Sequence, residues 1–129
     1  MNEKLEKLRE KRLIEISVWA GLSPTPGVNG IIVTTDKKQY YYHSYRIMNP
    51  DYNKIPEKYL SGAIDIDDNT YNELINIIEN DILDSKHKYQ MIMDIDFFIE
   101  GSYNNKNFKL ENETELYRKI HKLLGGKYE

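Results

Sequence analysis

The sequence predicts an α+β domain with an antiparallel, twisted sheet of about five strands and two main helices packed on one face of that sheet. Several short segments alternate apolar and polar residues, which is the period of a strand. Two longer segments place apolar residues three and four positions apart, which is the period of an amphipathic helix. Strands and helices of these lengths in one chain favour two layers around a shared core.

The first half of the chain carries three of the predicted strands. Residues 14–20 alternate in character, and the proline-rich residues 21–27 end that strand. Two β-favouring segments, residues 31–35 and 39–47, then predict a hairpin. Residues 2–12 alternate charges and predict a short polar helix or arm.

The last third predicts a second hairpin that leads into a helix. Residues 89–100 form a long alternating strand, and a turn at 104–107 precedes a strand at 107–111. A helix is expected from Asn112 to the glycine pair after residue 124. Together with the three strands of the first half, this hairpin gives the five strands of the predicted sheet.

Both main helices have a capping signal and an apolar stripe. The spacing of Thr70 and Glu73 predicts the start of the first, and that of Asn112 and Glu115 the start of the second. The first stripe consists of Tyr71, Leu74, Ile75, Ile78 and Ile82, and the second of Leu116, Tyr117, Ile120, Leu123 and Leu124.

Length and composition predict one domain over residues 1–129. The chain has no cysteine, so a disulfide framework, a thiolate metal site and a thiol nucleophile are excluded. We expect a cytoplasmic protein without a signal sequence or membrane span. The abundance of isoleucine, lysine, asparagine and tyrosine indicates an AT-rich genome, and we expect a bacterial or phage source.

Charge is unevenly distributed along the chain. Its net value is −3, but residues 55–100 hold three basic and eleven acidic residues, a net charge of −8. Such a segment would repel a phosphate backbone, so we expect no nucleic-acid ligand. The same charge favours a basic protein partner or a cation.

One acidic pattern resembles the start of a calcium loop. Asp65, Asp67 and Asn69 have the spacing of its first ligands, but Thr70 replaces the glycine and Asn76 the bidentate glutamate. Helix capping therefore explains the pattern better than a metal. We predict no metal and no cofactor.

A second acidic pattern lies on the long predicted strand. Asp94 and Asp96 would share one face, with Glu100 further along. Paired carboxylates hold Mg²⁺ or act as an acid–base pair in some hydrolases. The alternative is a solvated face on which Lys106 or Lys109 of the next strand pairs with the acids.

The tyrosine-rich residues 40–46 supply the residue types of a metal-free RNase. Such an enzyme needs an acid and a base, so His43 would require His87 or His121 as its counterpart. The alternative is a strand whose outer face contacts a partner. Trp19, at the end of the first strand, fits either a core position or a binding anchor. The contacts expected from the strand are Tyr40, Tyr42 and Arg46.

Several short segments spread over the chain share a pattern with a known family. They are 16–19 (Ile-Ser-Val-Trp) with Gly21, 30–33 (Gly-Ile-Ile-Val), the three tyrosines at 40–42, 93–96 (Met-Asp-Ile-Asp), and Asn112 with Leu116 and Tyr117. Through these residues the chain resembles the small α+β immunity proteins that bacteria encode beside polymorphic or contact-dependent toxins. That resemblance implies no catalysis. It implies tight binding to a cognate toxin, with acidic residues covering a basic site.

The leading hypothesis is a non-enzymatic domain that binds a basic protein partner and no membrane. One alternative is a small metal-dependent or RNase-like hydrolase. Another is a structural domain that forms a homodimer through the tyrosine-rich strand. The partner contacts expected under the leading hypothesis are Asp65, Asp67, Asp68, Asp94, Asp96, Glu100, Tyr40, Tyr42, Arg46 and Trp19.

Overall fold

The computed structural model describes residues 3–20, 27–45, 60–83 and 95–125 of the chain. The elements in chain order are α1 (Glu3–Glu10), β1 (Arg12–Ala20), β2 (Gly27–Thr34), β3 (Lys38–Tyr45), β4 (Ile64–Asp65), α2 (Asp68–Ile77), a π-helical segment (Ile78–Ile82), β5 (Ile95–Tyr103), β6 (Lys106–Glu111) and α3 (Thr114–Leu123).

The strands form one antiparallel sheet in the order β4-β3-β2-β1-β5-β6, so β1 lies near its centre. The predicted α+β class is therefore confirmed. The sixth strand, β4, has only two residues and pairs with the start of β3. A two-residue strand is too short to show an alternating pattern, which is why the sequence predicted five strands.

The main core lies between the sheet and the two helices α2 and α3, which share one face as predicted. Burial of each large aliphatic side chain there contributes about 1.5–3 kcal/mol. The buried residues are Leu13, Ile14, Ile16, Ile31, Val33, Ile66, Leu74, Ile77, Ile78, Ile82, Ile99, Tyr117, Ile120 and Leu124.

Both hairpins are present, with turns that use left-handed backbone. β2 and β3 are joined through Lys37, at φ 61°. Asn104 and Asn105, at φ 55° and 65°, join β5 to β6 as a two-residue turn, shorter than predicted. Asparagine tolerates this conformation, so β5 continues to Tyr103 instead of ending at residue 100. Residues 89–94 of the predicted strand lie outside the described residues.

The predicted start of α2 is three residues late. The N-cap is Asp67 instead of Thr70, and its Oδ1 accepts a hydrogen bond of 2.7 Å from the backbone N–H of Thr70. Asp67 has extended backbone (φ −71°, ψ 163°), as an N-cap requires. Thr70 thus supplies the donor of the cap.

The predicted cap of α3 has another role. Asn112 is buried, and its backbone N–H donates to the carbonyl of Phe97 at 2.7 Å. Its side-chain Oδ1 accepts from the backbone N–H of Phe97 at 2.9 Å. Asn112 adopts φ 60°, which asparagine tolerates better than most residues. It therefore anchors the end of β6 to β5, and α3 begins two residues later.

Helix α1 forms as predicted, and it covers part of the sheet face opposite α2 and α3. Leu5 packs against Val28, Ile32 and Tyr42 to form a second, smaller core. Leu60 contacts its rim. The α1 side of the sheet is thus covered over β2 and β3.

A buried carboxylate joins α1 to this face. Glu15 of β1 is only 1% exposed. Arg9 of α1 donates from Nε to Oε1 at 3.0 Å and from a terminal nitrogen to Oε2 at 2.8 Å. Arg12 donates to Oε1 at 2.6 Å, and the hydroxyl of Tyr42 donates to Oε2 at 2.5 Å. Four hydrogen bonds therefore satisfy both oxygens of the carboxylate.

These donors keep Glu15 ionised. Burial alone would raise the pKa of its carboxyl group, but the hydrogen bonds and charge of Arg9 oppose this, with further hydrogen bonds from Tyr42 and Arg12. The result is a pKa of Glu15 below its ordinary value of 4.5. Burial and the Glu15 charge raise the pKa of Tyr42 well above 10.0, so its hydroxyl stays a neutral donor.

Gly30 on β2 lets Tyr42 reach the carboxylate. A Cβ atom added at Gly30 would overlap the ring of Tyr42. The bare backbone of Gly30 thus gives the ring room to cross β2 and place its hydroxyl against Glu15 of β1.

Replacing the buried carboxylate by an amide should destabilise the fold. In Glu15→Gln, the amide nitrogen would face hydrogen-bond donors and could not accept from them. Arg9 and Arg12 would also lose the negative charge of Glu15. We expect the free energy of unfolding in urea to fall by about 3 kcal/mol. The control Glu10→Gln alters an exposed residue of α1 and should change it by less than about 0.5 kcal/mol. Equal effects of the two substitutions would contradict the role given to Glu15.

The stabilisation by Glu15 should disappear in acid. Because the pKa of Glu15 is lowered on folding, the unfolded chain takes up this proton first as the pH falls. The contribution is complete above the ordinary value of 4.5 and is lost as the pH drops through the lower folded pKa. Urea unfolding of wild type and Glu15→Gln from pH 7 to strongly acidic pH should show a difference that shrinks below that value. A difference independent of pH would refute this.

Candidate functional site

The predicted acidic residues near α2 lie at one edge of the sheet. The carboxylate of Asp65 on β4 accepts from Lys38, and Asp68 accepts from Lys37 at 2.8 Å. The side chains of Asp65 and Asp68 are 83% and 79% exposed. The backbone N–H of Thr70 lowers the pKa of Asp67 by donating to it. The capping interpretation is confirmed for Asp67.

The second predicted acidic group lies on β5. Glu100 is within 3.8 Å of Arg12 and 3.6 Å of Lys109, so it belongs to a charge-paired face, as the alternative interpretation predicted. The backbone of Asp96 pairs with that of Trp19 on β1. The side chains of Asp96 and Trp19, and all of Asp94 and Arg46, lie outside the described residues.

The described members of the two acidic groups lie far apart on the sheet. Asp65 lies on β4 and Glu100 on β5, and three strands separate them. Neighbouring strands are about 4.8 Å apart, so the two strands are about 19 Å apart across the sheet. In the described ranges, no group of three or more histidine, aspartate or glutamate side chains could hold a metal ion.

Two tyrosines of β3 that were expected to contact a partner point into the protein instead. Tyr42 is 1% exposed and Tyr40 is 9% exposed, so both are interior residues on the α1 side. Tyr41 and His43 lie on the opposite side, with their rings stacked at 5.7 Å. The hydroxyl of Tyr41 donates to Oδ1 of Asn29 at 2.9 Å. Of the residues predicted to contact a partner from this strand, Tyr40 and Tyr42 are therefore excluded by burial, and Arg46 lies outside the described residues.

A pocket of about 270 Å³ opens beneath α3, on the face of the sheet that carries α2 and α3. We call it the α3 pocket. Its apolar walls come from three strands and the helix: Val18, Ile31, Phe97 and Tyr117. Its polar lining consists of Asn29, Arg118 and His121.

Strand register and helix period build the α3 pocket. Val18 pairs with Asn29 on one side and with Phe97 on the other, which makes a row across three strands. Tyr117 and His121 are one helical turn apart, with nearly parallel rings 5.9 Å apart. The rings of Phe97 and Tyr117 meet edge to face at 4.9 Å. Tyr117 therefore links the helix to the floor of the pocket.

The polar lining of the α3 pocket is cationic or hydrogen-bond donating. Arg118 is an exposed cation, and none of the described residues that line the pocket is acidic. Within the part of the chain that the structure describes, Arg118 makes no ion pair. The pocket thus combines apolar walls with a few polar groups, one of which is the cation Arg118. This is the composition of a ligand-binding site.

Among the residues of this pocket, the sequence alone singles out only His121 as a candidate. The available signal was the helical spacing of Tyr117 and His121, which places two rings on one face. Nothing in the sequence singled out Asn29 or Arg118, because strand register and helix packing bring them together. The RNase-like hypothesis also needs Arg46, which lies outside the described residues.

Comparisons of the chain with protein-family models, with curated proteins and with solved structures find no match. Among the helices of the described ranges, none has the length and apolar character needed to cross a bilayer. A function must therefore be inferred from the geometry of the α3 pocket and from the charges on the protein surface.

Proposed function

We propose that the protein is a non-enzymatic domain that binds another protein, with the α3 pocket as the anchor of the interface. The composition of the pocket carries this proposal. Aromatic and aliphatic walls with arginine at the rim are typical of the few positions that dominate binding energy in protein interfaces. Tyr117 and Phe97 supply the aromatic walls, and Arg118 supplies the rim.

The charges of the helical layer support recognition of an oriented partner. Helix α3 carries exposed basic residues, whereas α2 and the π-helical segment carry exposed acidic ones. The two helical elements meet where Nζ of Lys119 on α3 donates a hydrogen bond of 2.9 Å to Asp81 of the π-helical segment. Opposite charges on adjoining helices would favour one orientation of a bound partner. The exposed residues are Arg118, Lys119 and Lys122 on the basic side and Asp68, Glu73 and Glu79 on the acidic side.

A basic partner is the second part of the proposal. Residues 60–83 contain six acidic residues and no lysine or arginine. The ion pairs of Asp65 and Asp68 with lysines are exposed, and such pairs contribute little, so both carboxylates stay available to a basic surface. Neutralisation of a toxin in the cytoplasm of a bacterium is the specific form of this function that the family resemblance implies.

Filling the α3 pocket should release the partner. Val18→Phe adds a ring inside the pocket, and Leu110→Phe is a matched control at a half-buried position on β6. The partner would be captured from the source cells with the tagged protein, identified, purified and titrated. We expect Val18→Phe to weaken its Kd by at least about tenfold, which is 1.4 kcal/mol, with Leu110→Phe near wild type.

Thermal unfolding of both variants is the control for folding. The proposal fails if the purified partner binds Val18→Phe as tightly as wild type. It also fails if the wild-type protein retains no protein partner from these cells.

Removing exposed acidic charge should slow association with a basic partner. The double variant Asp65→Asn/Asp68→Asn removes two carboxylates without altering side-chain size. The control Glu6→Gln/Glu10→Gln removes two carboxylates from α1, on the other side of the sheet. In stopped-flow binding at low ionic strength, the aspartate pair should lower the association rate constant by about threefold or more and leave dissociation nearly unchanged. The same effect from the α1 pair, or none from either, would argue against a basic partner on this surface.

A further inference from the structure

We infer that the α3 pocket binds a carboxylate group that is joined to an apolar group about the size of a phenyl ring. This inference rests on the proposed function and deepens it, because it names the chemical group that the pocket takes. It follows from the size of the pocket, its apolar walls and the kind of polar groups that line it.

The size of the pocket sets the size of the apolar group. A dry cavity of about 150 Å³ accepts benzene. The α3 pocket, at about 270 Å³, has room for such a ring together with a carboxylate and one linking carbon. A larger ligand would extend out of the pocket.

The walls of the pocket suit a ring or a branched aliphatic group. Phe97 and Tyr117 already meet edge to face at 4.9 Å, and a third ring beside them would extend this arrangement. Val18 and Ile31 of the neighbouring strands complete the apolar surface. Burial of the apolar part of the ligand here would supply most of the binding free energy.

The polar lining offers donors for an anion. The guanidinium of Arg118 presents a planar fork that matches the two oxygens of a carboxylate. Oδ1 of Asn29 already accepts from the Tyr41 hydroxyl, so the amide nitrogen is the group that Asn29 has left to offer. The imidazole of His121, stacked on Tyr117, adds a ring N–H.

A single arginine fork favours a carboxylate over a phosphate. A carboxylate carries one negative charge, which a single guanidinium balances, whereas a phosphate carries nearly two at neutral pH. Since no acidic side chain occurs among the described residues of the lining, the charge of Arg118 is available to the ligand. The carboxylate belongs either to a free small acid or to the C-terminal residue of a polypeptide.

Three probes test the inference and separate its two sources. They are N-acetylphenylalanine, its C-terminal amide, and an acetylated tripeptide of two glycines and a C-terminal phenylalanine with a free carboxylate. Each is titrated by calorimetry into the wild-type protein. We expect the two acids to bind and the amide to bind at least about tenfold more weakly, because it lacks the charge that Arg118 contacts.

The variants Arg118→Gln and Lys122→Gln form a matched pair. Both remove an exposed basic charge from α3, but only Arg118 lines the α3 pocket. Arg118→Gln should lose at least about tenfold in affinity for the acids and none for the amide, while Lys122→Gln should match wild type. Thermal unfolding of both variants checks that α3 is intact.

The result that overturns the inference is equal binding of acid and amide, equal binding of the acids by Arg118→Gln and wild type, or no binding of any probe. Tighter binding of the tripeptide than of the single amino acid supports a polypeptide terminus as the source, and the reverse order supports a free small acid. None of these measurements uses the protein partner. If the acids fail while Val18→Phe still releases that partner, the proposed function survives and the carboxylate assignment falls. If the acids bind while the partner ignores Val18→Phe, the proposed function falls alone.

Discussion

A carboxylate without water must find its hydrogen bonds inside the protein, and Glu15 finds four of them on three separate elements. Arg9 comes from α1, Arg12 from the start of β1, and Tyr42 from β3. Desolvation of the charge is offset only when all these donors are in place together. The position of α1, the irregular register of β1 after Arg12 and the path of the Tyr42 ring over Gly30 all meet this requirement.

The same strand serves both faces of the sheet. Successive residues of β1 point to opposite sides, so Glu15 faces α1 while Ile16 and Val18 face the helical layer. The buried charge therefore fixes the backbone whose other side forms a wall of the α3 pocket. A change on the α1 side that shifts β1 would reach the pocket through the row that joins Phe97, Val18 and Asn29.

The parts of the fold that depend on periodicity were predictable from the sequence. The strand alternation and the helical stripes gave the α+β class, the two hairpins and the side on which α2 and α3 pack. The role of Glu15 was not predictable, because alternation does not tell whether the second face of a strand is covered. Tyr42 was assigned to a partner surface for the same reason. The side chains of Asp67 and Asn112 can each accept a hydrogen bond from more than one backbone N–H. Only the backbone conformation decides which of these hydrogen bonds forms. The pocket needed strand register, which local sequence does not encode.

The position of β1 in the sheet has a consequence for how the protein is made. Its pairing with β2 is local, but the residues of β5 that pair with it lie 75 to 87 positions later in the chain. During synthesis, β1, β2 and β3 can form a three-stranded unit long before β5, β6 and α3 have left the ribosome. That unit has an unpaired edge at β1 and an uncovered row of isoleucine and valine side chains. Contacts between residues so far apart in the sequence slow folding and prolong the exposure of apolar surface. The nascent chain is therefore most prone to aggregation in the interval before β5 is synthesised.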